Sequence, residues 1–165
     1  MIKVRMEKKP AVKIAGRKIW ISGTDNELFH QFWEKSNANG FVALLKKLCR
    51  TETILNSQVF GVSCVEKNPS DRSFYFYIAA ECEQIPGDMG LEEYNIPPCE
   101  WAVFENRGSM PRALVDAEMY AFMEWLPGSG YVHAEAPELE LYPPDKEEAA
   151  ETAVEFWLPV KKKEA

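Results

Sequence analysis

The strongest constraint on the fold of this chain is an order of elements that occurs twice. Hydrophobic periodicity reads strand, helix, strand, strand, and the same series returns at a spacing of about 80 residues. PAVKIAGRKIW (10–20) lies against CEWAVFENRG (99–108), and WEKSNANG (33–40) against EWLPGSG (124–130). VFGVS (59–63) lies against ELELY (138–142), and FYFYIAA (74–80) against VEFWLPV (154–160). The match is one of order and length more than identity. A duplicated β-α-β-β unit gives an α+β fold with pseudo-twofold symmetry, in which helices cover one face of an antiparallel sheet. The half-repeats fall at about 1–85 and 90–165 within one domain.

Local signals place the elements. The segment 11–22 is rich in Val and Ile and carries a glycine kink at Gly16. Thr24 and Glu27 form a capping box, so a helix should follow with Leu28, Phe29, Phe32 and Trp33 along one stripe. NANG breaks it, and FVALLKKL (41–48) reads as a second short helical turn. Strands are expected at 57–65 and 73–82, joined by KNPSD, and a further strand at 99–106. Pro111 is suited to the first helical position. The helix RALVDAEMYAFMEWL then puts Leu114, Ala117, Ala121 and Trp125 on one face, and PGSG stops it. Strands at 137–142 and 152–161 complete the set. Trp33, Leu114, Ala121 and Trp125 are expected to pack on the sheet, and Met110, Met119 and Met123 to be core.

Composition removes several classes of function. With 26 acids against 19 bases, a formal charge of −7, the chain is a poor match for direct binding to nucleic acid, whose affinity comes largely from Lys and Arg on phosphate. No apolar run approaches the roughly 20 residues needed to span a membrane, and MIKVRMEKKP has no signal-peptide core. Cys49, Cys64, Cys82 and Cys99 form no CxxC pair and read as free thiols in a reducing cytoplasm. The two histidines, His30 and His133, sit in no metal-ligand spacing, so neither a metal nor a cofactor is expected, and His133 reads as a loop residue. No GxSxG, Cys-His or Ser-His arrangement supports a protein nucleophile.

What remains is a surface built for a ligand. In PELELYPPD, strand alternation puts Leu139 and Leu141 on one side and Glu138, Glu140 and Tyr142 on the other. Matching parity on neighbouring strands would pool Glu140 and Tyr142 with Trp157, Tyr75 and Tyr77, with Glu155 and Trp101 as further candidates. Glu138, at the strand's start, is expected at the solvent-exposed edge. Gly61 is the pseudo-symmetric counterpart of Glu140 and leaves space beside it. A carboxylate among aromatic walls suits a lipophilic cation, since rings attract cations and exclusion of water strengthens the Coulomb term. A solvated strand carboxylate is the ordinary alternative for Glu140. Apolar burial also raises a carboxyl pKa, so a hydrolase that activates water stays open.

The ordered set CEWAVFENRGSMP, EWLPGSGY, PELELY and VEFWLPVKK, with KIAGRKIWISG and FYFYIAAECEQIPGDM in the first half, resembles the GyrI-like, or AraC effector-binding, small-molecule-binding domains. The resemblance covers essentially the whole chain. It implies the duplicated fold, a cleft along the pseudo-twofold seam, and a central acid on the penultimate strand, which falls on Glu140. It also implies binding of lipophilic cations by effector-sensing or sequestering proteins. Some relatives resemble small hydrolases of strained electrophiles, and one type inhibits gyrase, which leaves a protein partner open. The sequence carries no DNA-binding segment of the regulators.

Overall fold

The computed structural model describes residues 1–22, 26–143 and 152–164. Nine antiparallel strands form one sheet: β1 (Lys3–Lys9), β2 (Val12–Ile21), β3 (Phe60–Cys64), β4 (Phe74–Glu81), β5 (Glu92–Ile96), β6 (Cys99–Gly108), β7 (Tyr131–His133), β8 (Glu138–Leu141) and β9 (Thr152–Lys162). Their spatial order is β1-β6-β9-β8-β3-β4-β2-β5, with β7 added on β9. The order is symmetric about the β8–β3 pair, so the seam between the halves is an antiparallel ladder that sets Gly61 opposite Glu140 and Ser63 opposite Glu138.

Each half exports its leading strand. β1 pairs with β6 of the second half, and β5 pairs with β2 of the first. Lys9 and Val12 are three residues apart, hence within about 11 Å along the chain, yet β1 and β2 are six strand spacings apart, about 29 Å in a flat sheet. The same holds for Ile96 of β5 and Cys99 of β6. The sheet therefore curls until its two edges approach. Its concave face closes on a single cluster that draws on both halves: Ile14, Phe60, Val62, Ile96, Trp101, Val103, Leu139, Leu141 and Trp157 are buried together.

The convex face carries the helices. Helix α1 (Asn26–Ala38) and helix α2 (Phe41–Leu48) cover Phe74, Phe76 and Ile78 of β4. Gly40, at φ 84°, makes the turn between them in the left-handed region that other residues resist. Helix α3 (Arg112–Met119) continues as a π-helical stretch, Tyr120–Trp125, and a last turn, α4 (Leu126–Gly128), over Phe104 and Phe156. Leu114 and Ala121 are buried there, Trp125 packs edge-on to Phe104 at 5.4 Å, and Trp33 lies half-buried. None of these helices is long and apolar enough to cross a membrane.

The α+β duplication is as expected, with differences at the edges. The strand expected at 57–65 forms only over Phe60–Cys64, and β1, β5 and β7 were not foreseen. β1 carries charges on both faces and is held mainly by its ladder with β6, while β5 adds Tyr94 and Ile96 to the core beside its ladder with β2. Met110, which precedes α3, and Met119 and Met123 on the helix are exposed, not core. Thr24 of the expected capping box lies outside the described residues.

Candidate functional site

Ladder register decides which candidate side chains meet. On β8 and β9, Leu139 is opposite Trp157, and Glu140 is opposite Phe156. Directly paired residues share a face. Glu140 and Tyr142 therefore lie on the convex, helix-bearing side, while Trp157, Trp101, Tyr77, Tyr75 and Glu155 lie on the concave side. The expected pooling of Glu140 with Trp157, Tyr75 and Tyr77 does not occur. Parity along one strand is fixed by the backbone, but the phase between strands depends on register, and the neighbouring phase was misjudged.

The concave residues have structural surroundings. Trp101 and Trp157 are 1% exposed and pack edge to face at 5.7 Å. Trp157 donates its indole N–H to Glu155 at 3.1 Å, and Glu155 is ion-paired to Arg5 at 2.9 Å. Tyr77 is buried beside Tyr94, with its hydroxyl on Glu92. Tyr75 is exposed and contacts Trp20.

At the seam, the floor of the convex face between the two helical layers is β3 and β8. The Glu140 side chain lies across Gly61, where a methyl group would run into its Cγ, Cδ and Oε1. The space left by Gly61 is thus taken by the carboxylate itself. One wall is α1, from which the Trp33 indole donates to Glu140 Oε1 at 3.1 Å and meets the Tyr142 ring edge-on at 5.8 Å. The opposite wall is α3 and its π-helical continuation. Phe122 packs on Phe156 at 5.8 Å, and Glu118, four residues earlier, shares that side of the helix.

The seam acids differ in what compensates them. Glu138 is 3% exposed rather than at a solvent edge. Arg72 grips both its oxygens, at 2.9 and 3.2 Å, and His133 Nε2 lies 2.9 Å away. His133 is thus a strand residue in an ion-pair network rather than a plain loop histidine, and its Nδ1 faces Ala134 O at 2.6 Å. Burial alone would raise the Glu138 pKa, but the hydrogen bonds from His133 and Arg72 hold it below the ordinary carboxylate value. Among the described residues Glu140 receives only neutral donors, Trp33 and the Tyr142 hydroxyl, and burial pushes its pKa up to about 7. Burial and the nearby charges of Glu140 and Glu138 push Glu118 up to about 8. Both acids keep part of their surface open. Tyr142 is held neutral, its pKa raised by burial and by Glu140.

Two surface grooves compete for attention and lack the right charge. One of about 390 Å³ runs beside Leu126, Tyr131 and His133, and the other, of about 380 Å³, lies among Arg17, Lys18, Lys35 and Phe41. Neither is lined by a carboxylate. Among the described residues no cluster of three or more His, Cys, Asp or Glu could hold a metal ion.

Sequence reasoning missed Trp33, Glu118, Phe122 and Arg72. Glu118 had a legible signal, because it interrupts the apolar stripe of Leu114, Ala117 and Ala121. Arg72 had none, being a loop residue that reaches Glu138 over a separation of 66 positions.

Comparison with known proteins places the fold. The chain matches SAV2435 bound to tetraphenylphosphonium at a TM-score of 0.80, with 18% identity over 96% of this chain and 94% of that one. An integron cassette protein from the mobile metagenome of Vibrio cholerae matches at 0.67, with 16% identity over 96% and 95%. The C-terminal domain of EcmrR matches at 0.66, with 14% identity over 99% of each chain. No curated protein matches by sequence. The GyrI-like small molecule binding domain matches residues 2–161, and the chain belongs to that family.

Proposed function

We propose that the seam cleft binds lipophilic organic cations, with Glu140 as charge partner and Trp33, Tyr142 and Phe122 as aromatic walls. One observation carries this reading. Glu140 is a half-buried carboxylate with two neutral hydrogen-bond donors and no cation among the described residues, two residues from an acid that has both an arginine and a histidine. A charge left uncompensated in a desolvated cleft costs stability unless an incoming cation supplies the missing partner. Well-placed rings add about 0.5–2 kcal/mol each for such a cation. The SAV2435 complex with tetraphenylphosphonium supports the ligand class. The half-repeats of about 1–85 and 90–165 act as one binding unit in this reading, because each supplies one wall and one floor strand. The free cysteines suit a cytoplasmic setting, in which the protein sequesters its ligand or reports it to a partner.

Titration with tetraphenylphosphonium tests the reading through tryptophan fluorescence, since Trp33 sits at the cleft. Saturable quenching is expected. A flat trace up to high micromolar ligand, for this cation and a panel of cationic dyes, contradicts it.

A second reading is hydrolysis of a strained electrophile in the same cleft. It is favoured by Glu140 and Glu118, whose pKa values of about 7 and about 8 let each hold or release a proton near neutrality. Mass spectrometry of epoxide-bearing ligands after incubation separates the two, because only turnover adds water to the ligand.

A further inference from the structure

Across the seam three acids face one another, and only one is neutralised. Glu138 has Arg72 and His133. Glu140 has the Trp33 N–H and the Tyr142 hydroxyl. Glu118 has neither a hydrogen bond nor an ion pair with any described residue, and the one cation that favours its charge, Arg72, is already committed to Glu138. We propose that Glu118 is a second charge-reading residue of the cleft, and that the preferred ligands are dications with one positive centre against Glu140 and the other against Glu118. The inference rests on the cation-binding reading above and narrows its ligand class.

The position of Glu118 supports this role. It lies on the side of the helix that carries Phe122, whose ring contacts Phe156 and lies 5.6 Å from the Arg72 guanidinium. Phe156 is in turn the ladder partner of Glu140. Glu118 is thus held at the wall of the same cleft, inside a stripe that is otherwise Leu114, Ala117 and Ala121. It is also close enough to Glu140, Glu138 and Tyr142 to perturb their charges or be perturbed by them.

Acids that serve the fold of this molecule look different. Glu81, 1% exposed, accepts the amide N–H groups of Ile54 and Leu55 at 2.8 and 2.9 Å. Glu155 has Arg5 and the Trp157 indole, and Glu138 has Arg72 and His133. Each is satisfied within the protein, as buried polar groups generally are. Glu118 breaks that pattern, and it does so beside Glu140, the other seam acid with no cation among the described residues. Two like charges sharing a desolvated site raise each other's cost. A structural role would be better served there by Gln or Leu.

The consequences for binding follow from charge balance. Among the described residues the groups facing the pair are Trp33 from α1, Glu138 from β8 and Tyr142 beyond its end, with Arg72 and His133 engaged on Glu138. None supplies a free positive charge. A monocation neutralises one acid and leaves the other to keep its proton. A dication neutralises both and displaces the protons that Glu118, pushed up to about 8, and Glu140, pushed up to about 7, hold in the empty cleft. Because those protons must leave, dication affinity rises as pH rises through that window, more steeply than monocation affinity.

Isothermal titration of the full chain tests this with bis(trimethylammonium)alkanes of increasing length, each against the singly charged alkyltrimethylammonium of equal length. At one chain length the dication should bind roughly tenfold tighter or more. The advantage should be larger above pH 8 than below pH 7, and between those limits the dication should release more protons on binding than the monocation. Glu118→Gln should abolish the advantage and change monocation affinity by less than about threefold. Glu118→Asp keeps the charge on a shorter arm and should shift the optimum to a longer alkane, which guards against a Gln variant that folds poorly. No dication advantage at any length, or equal losses for both ligands in Glu118→Gln, overturns the inference while leaving monocation binding at Glu140 standing. If no cation binds the unmodified protein, the reading of the cleft falls with it.

Discussion

The two faces of the sheet carry the same pair of residues in different circumstances. On the concave face the Trp157 indole donates to Glu155 at 3.1 Å, and on the convex face the Trp33 indole donates to Glu140 at the same distance. The inner carboxylate also has Arg5, reaching across from β1 at 2.9 Å, and packs among side chains that fill the curled sheet. The outer one has no cation among the described residues and keeps part of its surface open at the seam. A Trp–Glu hydrogen bond is therefore no sign of function by itself. Where a cation completes it, the pair closes a core. Where no described residue supplies the cation, the pair is free to serve as the charge partner of the proposed binding site.

The comparison sharpens first at Glu138, the compensated acid of the seam. Glu138→Gln leaves Arg72 and His133 facing an uncharged amide. Breaking a buried pair costs about 3–5 kcal/mol, and since Arg72 is partly exposed the expected loss is about 2–4 kcal/mol. Urea denaturation measures it. A loss under about 0.5 kcal/mol would mean that the network does not hold the strand, and that compensated and uncompensated acids are not different in kind.

A smaller effect is expected at Gly61. Gly61→Ala places a methyl group where the Glu140 carboxylate lies, so the flexible acid is displaced and loses the Trp33 donor. Cation affinity should fall by about 1 kcal/mol, roughly fivefold, with the fold retained. Tyr75→Ala, on the exposed concave edge, serves as the control and should leave affinity unchanged. Unchanged affinity in Gly61→Ala, or a loss matched by Tyr75→Ala, would separate the ligand from the seam.

How far the sequence could be read follows the same division. Duplication, helices on one face and the mid-strand position of Glu140 opposite Gly61 were legible, because the 3.6- and 2-residue periods and the pseudo-repeat are local patterns. The face that Glu140 shares was not. Alternation along each strand points to Trp157, Tyr75 and Tyr77 as its partners, but the phase between β8 and β9 is set by register, which sequence alternation leaves undetermined. The strands β1 and β5 escaped notice for a related reason. Their ladders run to partners about 100 and 80 positions away, so β1 needs no apolar side and β5 needs only Tyr94 and Ile96. Glu138 was misplaced because its burial depends on Arg72 and His133, which reach it from a loop and from another strand.

The central claim, that the uncompensated acid binds the ligand and the compensated one holds the fold, is tested most directly by one paired measurement. Affinity for tetraphenylphosphonium and for a neutral analogue of similar shape is measured in Glu140→Gln and in Glu155→Gln. Glu140→Gln should weaken the cation by on the order of 1–3 kcal/mol and spare the neutral analogue. Glu155→Gln should leave both affinities unchanged, while its lost pairing with the half-exposed Arg5 lowers stability by about 1 kcal/mol or less. Equal losses for charged and neutral ligands in Glu140→Gln, or cation affinity that depends on Glu155 rather than Glu140, would contradict the account.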